Sequence, residues 1–315
     1  MRHGIVILPD ESWSEAARRW RRAEQLGFDH AWTFDHLMWR GLREHTWFSA
    51  MPTLTAAAGI THRIRLGTLV ANPNLRHPLT FAKEIMTLDD ISEGRVVCGI
   101  GAGAPGWDAE VFGAAPLPPG QRHTRFAEFT ELTDLLLRRR ETDYSGVHYT
   151  ARGAYMAPGC RQRPGVPIAV AAAGPRSMRL AARVAASWIT VGLPELGRAA
   201  RFDEAEGLLR DQAGRLDEAC EAEGRDPRSL GRMVVAGPQM GGVLASRDSF
   251  EAARGMFEDL GFTDMVVFWP RGDEPFRGRE DLLDEIAPLL GAATDTVPNP
   301  GSRPDQDVPA AGGHR

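Results

Sequence analysis

Eight short runs of β-branched and apolar residues recur along the chain, and each is followed by a stretch with helical character. Nothing else in the sequence narrows the fold as far. The runs cover residues 3–9, 30–36, 64–71, 95–103, 167–174, 187–192, 232–242 and 264–270. Helical patterns fall between them. Ser12 and Glu15 stand at capping-box spacing, Trp13, Ala16, Ala17, Trp20 and Ala23 follow at helical intervals, and Gly27 sits where a C-cap belongs. Further helices are expected at 50–60, 79–91, 122–139, from Pro175 onward, at 196–224, 246–261 and 278–290. Residues 142–158 lack a helical period and read as an inserted loop or hairpin. Eight strand–helix units predict a single (β/α)8 TIM barrel, with a doubly wound sheet as the alternative. No linker-like change of composition divides 1–290, which is therefore read as one domain. Residues 291–315 are rich in Pro, Gly and polar residues and read as a disordered tail.

Composition excludes several classes of function. The net charge of −5 offers nothing to a nucleic acid. No apolar run approaches the roughly 20 residues of a membrane span, and the apolar run at the N-terminus is too short for a signal-peptide core. Cys98, Cys160 and Cys220 are scattered without metal-ligand spacing, which suits a reduced, cytoplasmic protein. No metal site is expected. The first strand offers only His3, and the late strand ends 236–242 and 268–271 carry no histidine. Lys83 is the sole lysine and falls within a helix, which disfavours Schiff-base chemistry.

Three places carry chemistry. Gly101, Gly103 and Gly106 in RVVCGIGAGAPGWDAEVFG have the G-x-G-x-x-G spacing of a dinucleotide-binding loop. The context rejects that reading. The motif ends the fourth strand rather than the first, does not open directly into a helix, and has no acidic strand end about 20 residues on. The glycines either permit a tight turn or keep a barrel mouth clear for a flat ligand. In AAAGPRS, small residues at 171–173 end a strand and a helix begins at once. Free N–H groups there, with Gly174, Pro175, Arg176 and Ser177, suit a phosphate; an ordinary helix start is the other reading. In TFDHLMW, His36 is placed to exchange a proton near neutral pH, with Asp35 beside it to set its orientation and Trp39 as an aromatic wall. A satisfied structural histidine is the alternative.

These stretches, in this order, resemble the bacterial luciferase-like monooxygenase superfamily, and within it the oxidoreductases that use the deazaflavin coenzyme F420. GFDHAWTFDH, RIRLGTLVANPNLRHPLTFAKEIMTLDDISEGRVVCGIGAG, PIAVAAAGPRSMRLAARVAASWITVG and DMVVFWP carry the likeness, which covers about residues 3–290. It implies hydride transfer between F420 and a small organic substrate, with His36, Asp35 and Trp39 at the reacting centre. It implies a cofactor site made of Leu69, Val70, Asn72, Gly101, Gly103, Ala172, Ala173, Gly174, Pro175, Arg176 and Ser177. It also implies a non-prolyl cis peptide at Leu69–Val70 behind the ring, and a homodimer. Arg152, Arg161, Arg163 and Arg176 are candidates for the cofactor's acidic tail. Specificity is expected from loops 40–50 and 104–120 and from the 142–158 insertion. Where the sugar-phosphate dehydrogenase branch has a glutamate after the fourth-strand glycines, this chain has Ala104, so sugar-phosphate oxidation is not expected. Two rivals share the scaffold: an FMN-dependent monooxygenase using reduced flavin and oxygen, and a non-catalytic flavin-binding protein.

Overall fold

The computed structural model describes residues 1–104, 107–113, 115–192, 202–237, 240 and 242–291. Eight parallel strands close into a barrel. They are β1 (Arg2–Val6), β2 (His30–Thr33), β3 (Arg65–Thr68), β4 (Val96–Ile100), β7 (Ile168–Ala171), β8 (Ser187–Thr190), β9 (Gly231–Val235) and β10 (Asp264–Phe268). Each pairs with the next barrel strand along the chain, β4 with β7 included, and β1 closes the ring on β10 through Arg2↔Asp264 to Val6↔Phe268. The TIM-barrel expectation therefore holds. The remaining strands, β5 (Glu141–Ser145) and β6 (Thr150–Tyr155), form an antiparallel hairpin between units four and five.

Parallel strands covered by helices are buried on both faces, and successive side chains divide between two cores. Val6, Trp32, Phe34, Ala169, Met233, Val235, Val266 and Phe268 fill the barrel interior. Ile5, Leu66, Cys98, Ile100, Val170, Val234 and Val267 face outward against the helices. The Trp32 ring fits inside because Gly67 and Gly99 have no Cβ; one on Gly67 would stand 2.3 Å from that ring.

The helices α1 (Trp13–Leu26), α2 (Ala50–Ala58), α3 (Pro78–Ile91), α5 (Pro119–Arg138), α6 (Pro175–Val184), α7 (Phe202–Ala222) and α8 (Arg247–Asp259) form the outer ring. Short α4 (Trp107–Val111) follows β4, and α9 (Leu282–Ile286) closes the last unit. On α1, Ala16, Ala17, Trp20 and Ala23 are buried, and Gly27 caps the helix at φ 98° as expected. The capping box is not formed. Ser12 Oγ lies 2.9 Å from Ser14 Oγ and makes no side-chain cap bond. The expected helix over 196–224 is present as α7; its first expected residues, 196–201, lie outside the described residues, as does the expected tail from 292.

The hairpin corrects one expectation. It does not line the barrel mouth. Glu128 on α5 accepts the backbone N–H groups of Val147, His148 and Tyr149 at 2.8, 2.8 and 3.1 Å, which fastens the hairpin to the outside of the helical ring. No described helix is long and apolar enough to cross a membrane.

Candidate active site

A cavity of about 500 Å³ opens at the carboxyl ends of the strands, where TIM-barrel chemistry is located. Its back wall comes from β3 and β4. The Leu69–Val70 peptide is cis, as the resemblance implied. Gly101 continues the pairing past the strand end, donating its N–H to Ala71 O at 2.8 Å. A Cβ on Gly101 would lie 2.5 Å from Val70 Cγ2. Gly103 adopts φ +71°, and a Cβ there would meet Asn74 Nδ2 at 2.6 Å and Asn72 Oδ1 at 3.0 Å. So the glycines do not leave empty space. They let Val70 and the Asn72–Asn74 turn pack close and hold the wall flat. Asn72 is both turn former and wall: its Oδ1 accepts from Asn74 N at 3.0 Å, while its Nδ2 stands 3.5 Å from Asp35 O, at the limit of a hydrogen bond.

On the opposite side Phe34, Trp39 and Phe268 make an aromatic wall. Trp39 stacks on Phe276 with centroids 5.5 Å apart, and Phe276 in turn stacks on Phe268 at 4.1 Å. These contacts hold the Trp39 ring on the cavity wall. Thr190 and Gln212 also reach the cavity, but their polar atoms are used internally. Thr190 Oγ1 donates to Gln212 Oε1 at 2.5 Å, and Gln212 Nε2 donates to Gly192 O at 2.7 Å.

His36 lies on the cavity wall, but Asp35 is not its partner. The Asp35 carboxylate is buried and held bidentately by Arg76, Nε and Nη2 each at 2.7 Å. Adjacent residues leaving a strand point to opposite sides, and Asp35 points away from the mouth. Asp108 on α4 meets the imidazole instead. His36 Nδ1 lies 2.6 Å from Asp108 Oδ2, and Leu37 N donates to Asp108 Oδ1 at 3.1 Å. Sequence reasoning missed Asp108 because it is 72 residues from His36 and its α4 turn has no motif.

A second hollow, of about 290 Å³, adjoins the first, with Ala102 and Arg122 on the walls of both. Gly174, Pro175, Arg176 and Ser177 at the start of α6, the residues expected to suit a phosphate, line it. Gly174 is the N-cap and no side chain caps the helix, so first-turn N–H groups remain open. The start of α5 adds Arg122 and His123. Burial, then the charges of Arg176 and Arg183, hold His123 below its ordinary range. Arg122 and Arg176 bring positive charge to the hollow. The QRHTR run at the start of an expected helix was the available signal for these two residues.

Of the other candidate tail ligands, Arg161 and Arg163 lie at the opposite end of the barrel. Their segment docks beneath the strands: Gln162 Nε2 donates to Val96 O at 2.9 Å and Arg161 N to Asp89 Oδ2 at 2.6 Å. Arg152 is exposed on the outer hairpin. Ala172 and Ala173 line the cavity as expected. Among the described residues no group of three or more His, Cys, Asp or Glu side chains is placed to hold a metal ion.

The sequence profile of the luciferase-like monooxygenase family matches residues 1–255. An F420-dependent glucose-6-phosphate dehydrogenase of Beutenbergia cavernae is 40% identical over 172 residues, 53% of this chain and 49% of that protein. The chain thus spans about half the length of that relative. The F420-dependent glucose-6-phosphate dehydrogenase of Intrasporangium calvum is 30% identical over 317 residues, 85% of this chain and 92% of that protein. Among solved structures, an F420-dependent secondary alcohol dehydrogenase in complex with an F420-acetone adduct superposes with a TM-score of 0.76 at 17% identity, covering 93% of this chain and 99% of that one. At that identity the likeness speaks for the fold.

Proposed function

The chain belongs to the luciferase-like monooxygenase family, and on that premise we propose an oxidoreductase that moves a hydride between F420 and a small, uncharged organic substrate. One observation carries the reading: a flat-walled slot runs into an anion cradle, and the two share Ala102 and Arg122. That is the shape of a ring on a phosphate-bearing chain. When bound, the deazaflavin supplies a ring carbon that gives or accepts hydride.

The chain's own residues do the rest. Leu69, Val70 and Gly101 back the ring. The start of α6, with Arg122, Arg176 and Ser177, holds the phosphate. Phe34, Trp39 and Phe268 shape the substrate side and exclude water. His36 moves the proton. Arg122 is the one arginine on the cavity wall among the described residues, and it lines the phosphate cradle as well. Among the described residues the wall offers a phosphorylated substrate no further cation, and Ala104 offers no acid. Sugar phosphates are accordingly poor candidates, although the relatives named above act on one. A homodimer belongs to the same reading, and sedimentation velocity tests it.

The test is a parallel titration of the apo-protein with F420 and FMN, followed by cofactor fluorescence. Tight F420 and weak FMN binding is the expected result. The reverse order would replace hydride transfer with flavin and oxygen chemistry. Binding of neither would overturn the assignment of the cavity.

A further inference from the structure

We propose that Asp108 is the positioning residue of this site: it fixes which ring nitrogen of His36 faces the substrate and supports the proton that His36 takes up. This use of the pair rests on the hydride-transfer reading of the cavity; the pairing itself does not.

An ionised carboxylate only accepts hydrogen bonds. At 2.6 Å the His36 Nδ1 must therefore carry hydrogen and donate it to Asp108 Oδ2. The second carboxylate oxygen accepts the amide of Leu37, so both oxygens of Asp108 grip one turn of chain. Trp47 Nε1 fixes the same turn from the other side by donating to His36 O at 3.0 Å. The pair has a direction. The Asp108 side chain is 9% exposed and the His36 side chain 28%. The acid is inside and the imidazole reaches the cavity. His36 Nε2 makes no hydrogen bond among the described residues, and Phe34 meets the ring edge-on at 5.9 Å. Nε2 of the neutral ring is thus a bare acceptor at the cavity wall.

This arrangement suits an alcohol as the reduced substrate. As the carbinol C–H bond breaks and its electron pair leaves as hydride to the cofactor, the O–H bond breaks and its proton goes to His36 Nε2. A carbonyl forms, the substrate loses two electrons, and the cofactor gains them. The imidazolium then faces the Asp108 carboxylate, a charge-assisted pair whose acid is largely buried. In the reverse direction the same Nε2–H returns the proton to the carbonyl oxygen. Asp35 cannot serve in this role, because Arg76 occupies both of its oxygens.

The experiment uses the full chain labelled with ¹⁵N-histidine, at about pH 8, above the ordinary histidine range. The His36 signals are assigned by their loss in His36→Gln. The wild type is expected to show the Nδ1–H tautomer. Asp108→Asn, whose amide can offer N–H to Nδ1, is expected to show Nε2–H. In the same variant kcat should fall roughly ten- to hundredfold, as for other lost partners of a working histidine. Its pH–rate profile should move, F420 affinity should stay within about twofold, and Asp108→Glu should recover part of the rate. An Nε2–H tautomer in the wild type overturns the proposal without any variant. So does an unchanged tautomer or an unchanged pH–rate profile in Asp108→Asn. If F420 does not bind but the tautomers behave as stated, the functional reading fails and the pairing stands.

Discussion

Two histidine–aspartate pairs stand at opposite ends of the second barrel strand, and their histidines sit in the same tripeptide. The segment GFDHAWTFDH contains Phe-Asp-His twice, at 28–30 and 34–36. Neither histidine uses the aspartate that precedes it. Asp29 accepts the backbone N–H of His3 at 2.7 Å, and Asp35 goes to Arg76. His30, at the start of β2, is buried, and both its nitrogens are engaged. Nδ1 accepts from Trp32 Nε1 at 2.6 Å, and Nε2 lies 3.0 Å from Asp264 Oδ1. Asp264 is completed by Arg2, Nε and Nη2 each at 2.8 Å. Even the space beside the ring is used, since a Cβ on Gly4 would stand 2.1 Å from His30 Nδ1. His36, past the other end of the strand, has one nitrogen engaged and one left for the cavity. The same residue pair is structural where its hydrogen-bonding capacity is exhausted and available for chemistry where it is not.

The sharpest way to break this comparison is to remove the acid at the closed end. Asp264→Ala leaves His30 and the Arg2 guanidinium facing each other without a carboxylate. A loss of about 3–5 kcal/mol is expected from breaking a buried pair, read by denaturant unfolding. F420 affinity per folded molecule should not change. A loss under about 1 kcal/mol would place the pair among those that hold little together. At the open end the effects should be reversed. His36→Ala is expected to lower kcat about a hundredfold or more, as for loss of a positioned acid or base, while stability falls by only about 1–3 kcal/mol, the cost of leaving the buried Asp108 carboxylate without one partner. Unchanged turnover with cofactor bound would remove His36 from the mechanism.

Acid separates the ends further. His3 sits at the closed end, against Phe250, with both ring nitrogens unpartnered among the described residues. Burial, helped by the N-terminal charge and Arg254, lowers its imidazole to about 4. Since the folded value lies below the ordinary unfolded one near 6.5, its contribution is present above about pH 6.5 and is lost as pH falls toward 4. That contribution is at most about 3 kcal/mol, from the linkage relation. His3→Phe should flatten the stability curve in that window. Asp264 acts lower still: burial alone would push its carboxyl up, but His30 and Arg2 hold it below the usual carboxylate range. Its share should therefore survive until strongly acid pH. The smallest effect belongs to the cradle. His123 is held low by burial and by Arg176 and Arg183, and a bound phosphate would raise it. Inorganic phosphate and F420 should therefore bind a few-fold more tightly as pH drops through the histidine range. Arg122→Ala should weaken both roughly tenfold, as for one charge-assisted bond.

The barrel was legible because a strand–helix alternation is written in local pattern, and each strand run matched a strand of the closed sheet. The runs were read too long at their ends. Residues such as Leu69, Val70, Ala172 and Ala173 continue past the ladder to line the mouth, and their apolar character serves the cavity rather than the sheet. The start of α6 was legible because a phosphate cradle is a contiguous motif. Asp108, Arg122 and His123 were not, because each reaches the site from another βα unit and its relevance exists only once the barrel closes. Arg161 and Arg163 were misplaced for the complementary reason. The segment following the hairpin runs back beneath the barrel before β7 begins, and nothing in its composition says so.

The most direct test of the central claim is a stopped-flow record of F420 absorbance with wild-type enzyme, mixing a panel of uncharged alcohols in one series and sugar phosphates in the other. An uncharged alcohol should bleach the F420 chromophore under anaerobic conditions, sugar phosphates should not, and His36→Ala should lose the fast phase while still binding cofactor. Rapid bleaching by a sugar phosphate, or equal rates with and without His36, would contradict it.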